Sequence, residues 1–285
     1  MPEPASETRE YALGHSPQEL DRLSLQAKLL EPFTRRLFEE AGIRPGMRVL
    51  DVGSGAGDVA FLLREIVGQE GKVVGTDRAP EAIQRARERA EALGYSNVEF
   101  VQGDPVDIDF DEPFDALAGR FVLMYYPSPA GALGRLARHV RPGGIIAFQE
   151  SDNTGARTFP PQALFERLFE LMVKALELSS AEPRMALKLY PTFVDAGLPA
   201  PTLQTHVALM GFQDPFVEPL TQFLVQGLRS VTPVLVKHGL ATEQEPALDT
   251  YAQRMSQEFR AARGVMMSPP FVGAWSRKPE GNTPP

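Results

Sequence analysis

The run Val49-Leu50-Asp51-Val52-Gly53-Ser54-Gly55-Ala56-Gly57 most constrains what this chain can become. A short apolar strand passes into a glycine-rich turn and then into a helix, read over Val59 to Ile66. Strand, tight turn and helix in that order belong to a sheet flanked by helices. The glycines let the backbone take positive φ and approach a ligand closely. The helix that follows presents unpaired N–H groups and the positive end of its dipole. The unit is a cradle for a nucleotide-like ligand.

The pattern beyond the turn extends that sheet. Apolar runs at Val49–Val52, Val73–Thr76, Val98–Val101, Ala116–Met124 and Ile145–Phe148 alternate with helical segments. Those helices carry Ile83, Ala86, Ala90 and Leu93, then Leu133, Leu136 and Val140. Continuous apolar strands separated by helices predict a parallel sheet covered on both faces. Upstream, Ser16-Pro17-Gln18-Glu19 has the form of a capped helix start, with Leu20, Leu23, Ala27 and Leu30 on one face. Pro32 is expected to interrupt that helix, and a second one carries Phe33, Leu37, Phe38 and Ala41 until Gly42 ends it.

After Glu150 the alternation breaks down. Helices are expected from Gln162 to about Leu178 and around Leu187–Ala196, ending at Gly197, with a helical stretch over 214–263. Strand candidates are Thr202–Met210 and Val265–Trp275, the latter bent or split by Pro269-Pro270. Residues 1–15 and the Lys278–Pro285 tail are polar and expected to be loosely held. The divisions read as an N-terminal helical cap over 1–42, a ligand-binding core over 43–150, and 151–285 completing the sheet within the same domain.

The turn itself discriminates between ligands. The dinucleotide fingerprint is G-x-G-x-x-G. Here Asp58 stands where its last glycine would be, and no Gly-Lys-Ser/Thr follows to make a P-loop. No Lys or Arg lies in the turn, while Asp51 and Asp58 flank it. That favours a ligand carrying positive charge over a pyrophosphate. Asp77 ends the second strand and Asp104 follows the third. Ligands of open parallel sheets bind outside the carboxyl ends of the strands. A carboxylate at Asp77 can accept both hydroxyls of a ribose, and one at Asp104 an exocyclic adenine amine. The competing reading is that each Asp caps the next helix or turn.

Bulk properties remove other classes. Net charge is −8 without a strong Lys/Arg run, which argues against nucleic acid as a partner. The absence of cysteine excludes disulfides, zinc–thiolate sites and cysteine nucleophiles, and no metal site is expected. No apolar run approaches the about 20 residues of a membrane span, and the N-terminus lacks a signal-peptide pattern. A soluble, cytoplasmic protein is the expectation. The sequence carries no signature of a particular oligomeric state.

These motifs together resemble the class I S-adenosylmethionine-dependent methyltransferases of the bacterial small-molecule type. Val49–Gly57 is similar to that family's first motif, Asp77 to its ribose ligand, and Gly103-Asp104 to its adenine-side motif. Phe114-Asp115-Ala116 to Leu123 and Leu136 to Gly144 are similar to its fourth strand, helix and fifth strand. The resemblance covers about 43–150; Tyr11–Leu23 and the segment after 150 look like family extensions. It implies a Rossmann-like α/β fold with a seven-stranded, mostly parallel sheet. The last strand is antiparallel, with N-terminal helices and a helical insertion over 214–263 forming a lid. It also implies S-adenosyl-L-methionine as cofactor, contacted by Tyr11, Asp51, Gly53, Ser54, Gly55, Asp77, Arg78, Asp104, Pro105 and Arg120. Arg78 either stacks on the adenine or is solvated. Val106 would join Pro105 in lining the adenine slot. Arg120, inside an apolar strand, must meet a carboxylate, either the cofactor's or that of Asp51 or Glu150.

Methyl transfer from a sulfonium is an in-line displacement helped by holding nucleophile and methyl together in a dry site. An oxygen nucleophile needs a general base. Glu150, after strand five, is the first candidate for a catalytic or orienting carboxylate, and His206 in the sixth strand is the second. Asp152, Tyr125 and Tyr126 also fall at strand ends; His139 reads as solvated and His238 as a helix C-terminus. Met210, Phe212, Phe216, Phe223, Met255 and Met266 would give an apolar lid, though most of this stripe reads as packing on the sheet. An apolar pocket favours a small, fairly apolar acceptor, as in secondary metabolism. Arsenite is disfavoured because no cysteine is present. The rival reading is a cofactor-binding protein or non-methylating enzyme on the same fold. A nicotinamide oxidoreductase is opposed by Asp58, and a nucleic-acid methyltransferase by the acidity.

Overall fold

Alternate residues of each strand face opposite ways, and the buried side chains sort accordingly. The computed structural model describes residues 30–241 and 248–280. Strands β1 (Arg48–Val52), β2 (Lys72–Asp77), β3 (Val98–Gln102), β4 (Phe114–Arg120) and β5 (Val140–Ser151) run parallel in the order β3-β2-β1-β4-β5. One face buries Val49, Ala116, Ala118, Ile145 and Ala147 against helices α1 (30–41), α2 (Asp58–Val67) and α3 (Pro80–Ala92). The other buries Leu50, Val52, Leu117, Ile146 and Phe148 against α4 (Pro129–Leu136) and a later helix. Both faces are covered, so the central strands β1, β2 and β4 are largely apolar.

Helix α1 runs through Pro32 without interruption in the described residues and ends at Gly42, where φ is +96°. The expected helix start at Ser16, the contact from Tyr11 and the N-terminal stretch 1–15 lie outside the described residues. β4 is shorter than its apolar run suggests. It stops at Arg120, and Leu123–Tyr125 forms a 3-10 turn. β5 is longer, extending to Ser151.

The second half completes the sheet and adds a separate layer. After β6 (Arg157–Phe159) come α5 (Ala163–Leu178) and α6 (Met185–Asp195), the latter packing on the second face. The strand candidate 202–210 divides into β7 (Thr202–His206) and β8 (Leu209–Gly211). Helices α7 (Val217–Lys237) and α8 (Leu248–Ala261) follow. The proline-split strand becomes β9 (Val265–Met267) and β10 (Phe271–Arg277). β10 enters antiparallel between β5 and β7, giving seven strands in the order β3-β2-β1-β4-β5-β10-β7. β6, β9 and β8 form a small antiparallel sheet beyond the carboxyl ends of the main strands. Its inward residue Met266 packs with Phe165, Leu168, Val217, Leu228, Met255 and Phe259 in a third core shared by α5, α7 and α8.

The C-terminal segment begins tied down rather than loose. The Lys278 amide donates to the Gly144 carbonyl, and its ammonium donates to the carbonyls of Ala137 and Val140. Residues beyond 280 lie outside the described residues.

Candidate functional site

The carboxyl ends of β1, β2, β4 and β5 and the amino end of β10 meet at one edge, and the glycine turn lies across it. Gly53, Gly55 and Gly57 take φ of +66°, +53° and +93°, and the turn closes with the Gly57 amide on the Ser54 carbonyl at 2.9 Å. A Cβ at Gly53 would lie 2.7 Å from Val122 Cγ2, so only glycine fits there. Gly53 is exposed, and space is open above Gly55. Asp77, half-buried, ties this turn to β2. Its Oδ2 accepts the Gly55 amide and its Oδ1 the Ala79 amide, both at 2.9 Å. Each oxygen keeps an acceptor position. Exposed backbone, open space and spare carboxylate lone pairs fit a ribose-bearing ligand.

Asp104 is more fully engaged. Its Oδ1 accepts the Val106 amide at 2.9 Å and the Tyr126 hydroxyl at 2.8 Å. Its Oδ2 takes the Arg78 guanidinium through Nε, at 3.0 Å, and Nη2. Arg78 is thus paired while its side chain stays exposed, and it lies 5.3 Å over the Tyr126 ring. Burial and the Asp104 charge push the Tyr126 hydroxyl well above the usual range, so it stays a donor. Pro105 and Val106 are buried, and the Pro105 carbonyl meets His139 Nε2 at 2.7 Å. His139 is therefore a buried structural group and not a solvated one.

Asp51 is sealed beneath the turn and has no exposed surface for direct contact. Neither carboxylate oxygen has a hydrogen-bond partner of good geometry. Burial drives its carboxyl strongly upward and Arg120 opposes that. Ser54 is also buried, its hydroxyl unpartnered. Asp58, which made the turn look acidic, pairs with Arg89 at 2.8 Å. The local negative charge is consequently smaller than the sequence implies.

Arg120 ends β4 and donates to the Thr34 hydroxyl at 3.2 Å. Thr34 is fully buried and donates to Gln149 Oε1 at 2.7 Å. Among the described residues no carboxylate comes within 4.0 Å of Arg120. Asp51 and Glu150 are therefore not its direct partners; a hydroxyl–amide relay meets it, with Asp58, Asp51 and Glu31 acting at longer range. Thr34 was legible only as a polar residue within the apolar face of Leu30, Leu37, Phe38 and Ala41.

Glu150 is wholly buried. Its Oε1 accepts the amides of Val122 and Leu123 at 3.0 and 2.8 Å, holding the turn after β4. Burial lifts its pKa to about 8. Asp152 accepts the Thr154 amide and hydroxyl in a local turn. His206 ends β7 and stacks on Phe33 of α1. Burial and then Arg36 lower its pKa. His238 Nδ1 donates to the Val234 carbonyl at 2.9 Å, and the residue caps α7.

Four of the six side chains of the apolar stripe are taken up by the third core. Met255 and Met266 are buried inside the third core, and Met210 and Phe212 pack against it. No group of three His, Asp or Glu side chains is placed to hold a metal among the described residues.

A seven-stranded sheet with one antiparallel strand at this position, and a glycine turn tied to an acidic β2 end, define a class I S-adenosylmethionine-dependent methyltransferase. The family model described as "Methyltransferase domain" matches residues 43–196, and the chain belongs to that family. Aklanonic acid methyltransferase DauC of Streptomyces sp. (strain C5) is 36% identical over 170 residues, 56% of this chain and 76% of that relative. The 2-phytyl-1,4-naphtoquinone methyltransferase of Synechococcus elongatus is 32% identical over 185 residues, 63% of this chain and 76% of that relative. A solved SAM-dependent methyltransferase from Aquifex aeolicus superposes with a TM-score of 0.50 at 23% identity, covering 68% of this chain and 92% of that one. This chain is an S-adenosylmethionine-dependent methyltransferase.

Proposed function

We propose that the chain methylates a small, fairly apolar metabolite bound over the carboxyl ends of β4 and β5 and the amino end of β10. The observation that carries the reading is Asp77. It anchors the Gly55 amide and keeps acceptor capacity beside the exposed Gly53 backbone. The similarity to enzymes named for aklanonic acid and for a phytyl-naphthoquinone supports an acceptor of this kind.

When bound, S-adenosylmethionine supplies a methyl group on a sulfonium. Backbone at Gly53 and Gly55 holds the amino-acid side of it, and Asp77 takes the ribose hydroxyls. Asp104, closed in by Arg78 and Tyr126, shapes the adenine end. Pro105 and Val106 back that wall from within. Asp51, Ser54 and Arg120 act from beneath the turn, through charge and shape more than through contact. Glu150 positions the Phe121–Leu123 turn and does not exchange a proton with the acceptor, because it is sealed from the edge. His206 is the remaining candidate for a base, held neutral by burial.

Residues 1–42 serve as the cap, 43–150 as the cofactor core and 151–285 as sheet completion with a lid. No helix among the described residues is long and apolar enough to cross a membrane. The reading places the reaction in the cytoplasm, in keeping with a cysteine-free chain, and leaves nucleic acid out of its partners.

Isothermal titration with S-adenosylhomocysteine tests the reading: binding is expected, and Asp77→Ala should weaken it at least about tenfold by removing a charged acceptor. Unchanged affinity in that variant would show that the ribose lies elsewhere.

A further inference from the structure

Four aromatic side chains from four separate segments meet at the open edge: Phe33, His206 and Phe271 on the face covered by α1, and Phe121 from the opposite face, where it packs against the second core. Phe271 begins β10 and stands directly opposite His206 in the β10–β7 ladder and opposite Ser151 in the β10–β5 ladder. Directly opposed residues share a face of the sheet. Phe33 of α1 stacks on His206 with the ring planes 24° apart. Phe121, just past β4, lies 5.9 Å from Phe271, ring centroid to centroid. All four rings are half-buried, so each keeps open surface.

The backbone shows that this placement is built. Phe121 has φ of +56°, a conformation that a bulky side chain rarely takes and that costs energy. It is held there by its own amide on the Gln149 carbonyl at 2.8 Å and by Glu150 gripping the next two amides. One step inward on the α1 face lie Arg120, Gln149 and Gly273, joined in register and covered by Thr34 and Leu37 of α1. The row therefore has an aromatic outer rim above a polar inner floor. Val217, Val225, Leu228, Met255 and Phe259 of the helical insertion are taken up by its own core.

We propose that Phe33, Phe121, His206 and Phe271 form the acceptor platform, and that it selects a flat, conjugated ring system over a saturated one of the same size. The proposal rests on the methyltransferase reading and adds the shape and electronic character of the acceptor. Faces of aromatic rings attract other rings in offset or edge-on geometry, which a puckered saturated ring cannot match. The His206 ring adds two nitrogens that can hydrogen-bond a hydroxyl or carboxyl of the acceptor.

The test uses the full chain loaded with S-adenosylhomocysteine. Two probes are titrated: 2-hydroxy-1,4-naphthoquinone and decahydro-2-naphthol. The platform predicts that the flat probe binds roughly three- to tenfold more tightly than the saturated one. Phe271→Leu and Phe33→Leu keep apolar volume, and each should bring the two affinities together. S-adenosylhomocysteine affinity should stay within about twofold in both. Equal binding of the two probes to the unaltered chain, binding of neither, or a preference that survives both substitutions would overturn the platform. Failure of S-adenosylhomocysteine itself to bind would instead overturn the methyltransferase reading beneath it.

Discussion

The proton on Glu150 should set a measurable part of this protein's stability. Its carboxyl is wholly buried, with Oε1 accepting two amides and Oε2 without a partner. Burial raises its pKa from 4.5 to about 8, against the pull of the Leu123, Val122 and Met124 amides. At about 1.4 kcal/mol per pH unit, ionising it in the folded state costs about 5 kcal/mol more than in the unfolded chain. Between pH about 4.5 and about 8 the folded chain keeps a proton that the unfolded chain releases. Stability therefore falls as pH rises through that window and levels off above it. Glu150→Gln is neutral throughout and retains an oxygen for the Val122 and Leu123 amides. The stability of the variant relative to wild type should thus grow by about 3–4 kcal/mol from pH about 5 to about 8. Urea unfolding followed by the fluorescence of Trp275, the one tryptophan, measures both chains at each pH. Groups other than Glu150 titrate alike in the two and cancel. Parallel stability curves, within about 0.5 kcal/mol across the window, would refute the buried neutral carboxyl.

Two further substitutions probe the cradle. Gly53→Ala puts a Cβ 2.7 Å from Val122 Cγ2 at a φ of +66°. It should cost about 1–3 kcal/mol in unfolding free energy and weaken S-adenosylhomocysteine binding; wild-type melting and affinity together would mean the turn is not constrained as described. Thr34→Val removes the hydroxyl between Arg120 and Gln149 and should cost about 1–3 kcal/mol in chemical denaturation. Thr34→Ser should recover most of that, whereas an equal loss in both would assign the effect to the methyl group.

The central strands β1, β2 and β4 were legible because each is buried on both faces and so is written as a largely apolar run. The same logic exposed the break at Pro269-Pro270, where proline cannot continue a ladder, and β9 and β10 part there. It misplaced the end of β4. Phe121 and Val122 are apolar enough to extend a strand, but Phe121 turns through positive φ, which no side-chain pattern records. His139 looked solvated beside Arg138 and Arg141, yet Pro105, 34 positions away, offers its carbonyl. Arg89 neutralises Asp58 from the far side of β2. Charges within a motif are visible in sequence, whereas those brought to it by another helix are not.

What the sequence by itself determined is the cradle: a glycine turn after an apolar strand, with Asp77 one strand over. Those features depend on local backbone freedom and on the strand–helix order, both written in consecutive residues. Only the tertiary structure decided which polar groups face the ligand edge and which are sealed. Asp51 and Glu150 look alike in sequence to Asp77 and Asp104, but burial removes the first pair from the edge. Only the structure, too, assembled Phe33, Phe121, His206 and Phe271 into one row. Their neighbourhood comes from sheet register and from α1 lying across it, and each member stands in a different segment of the chain.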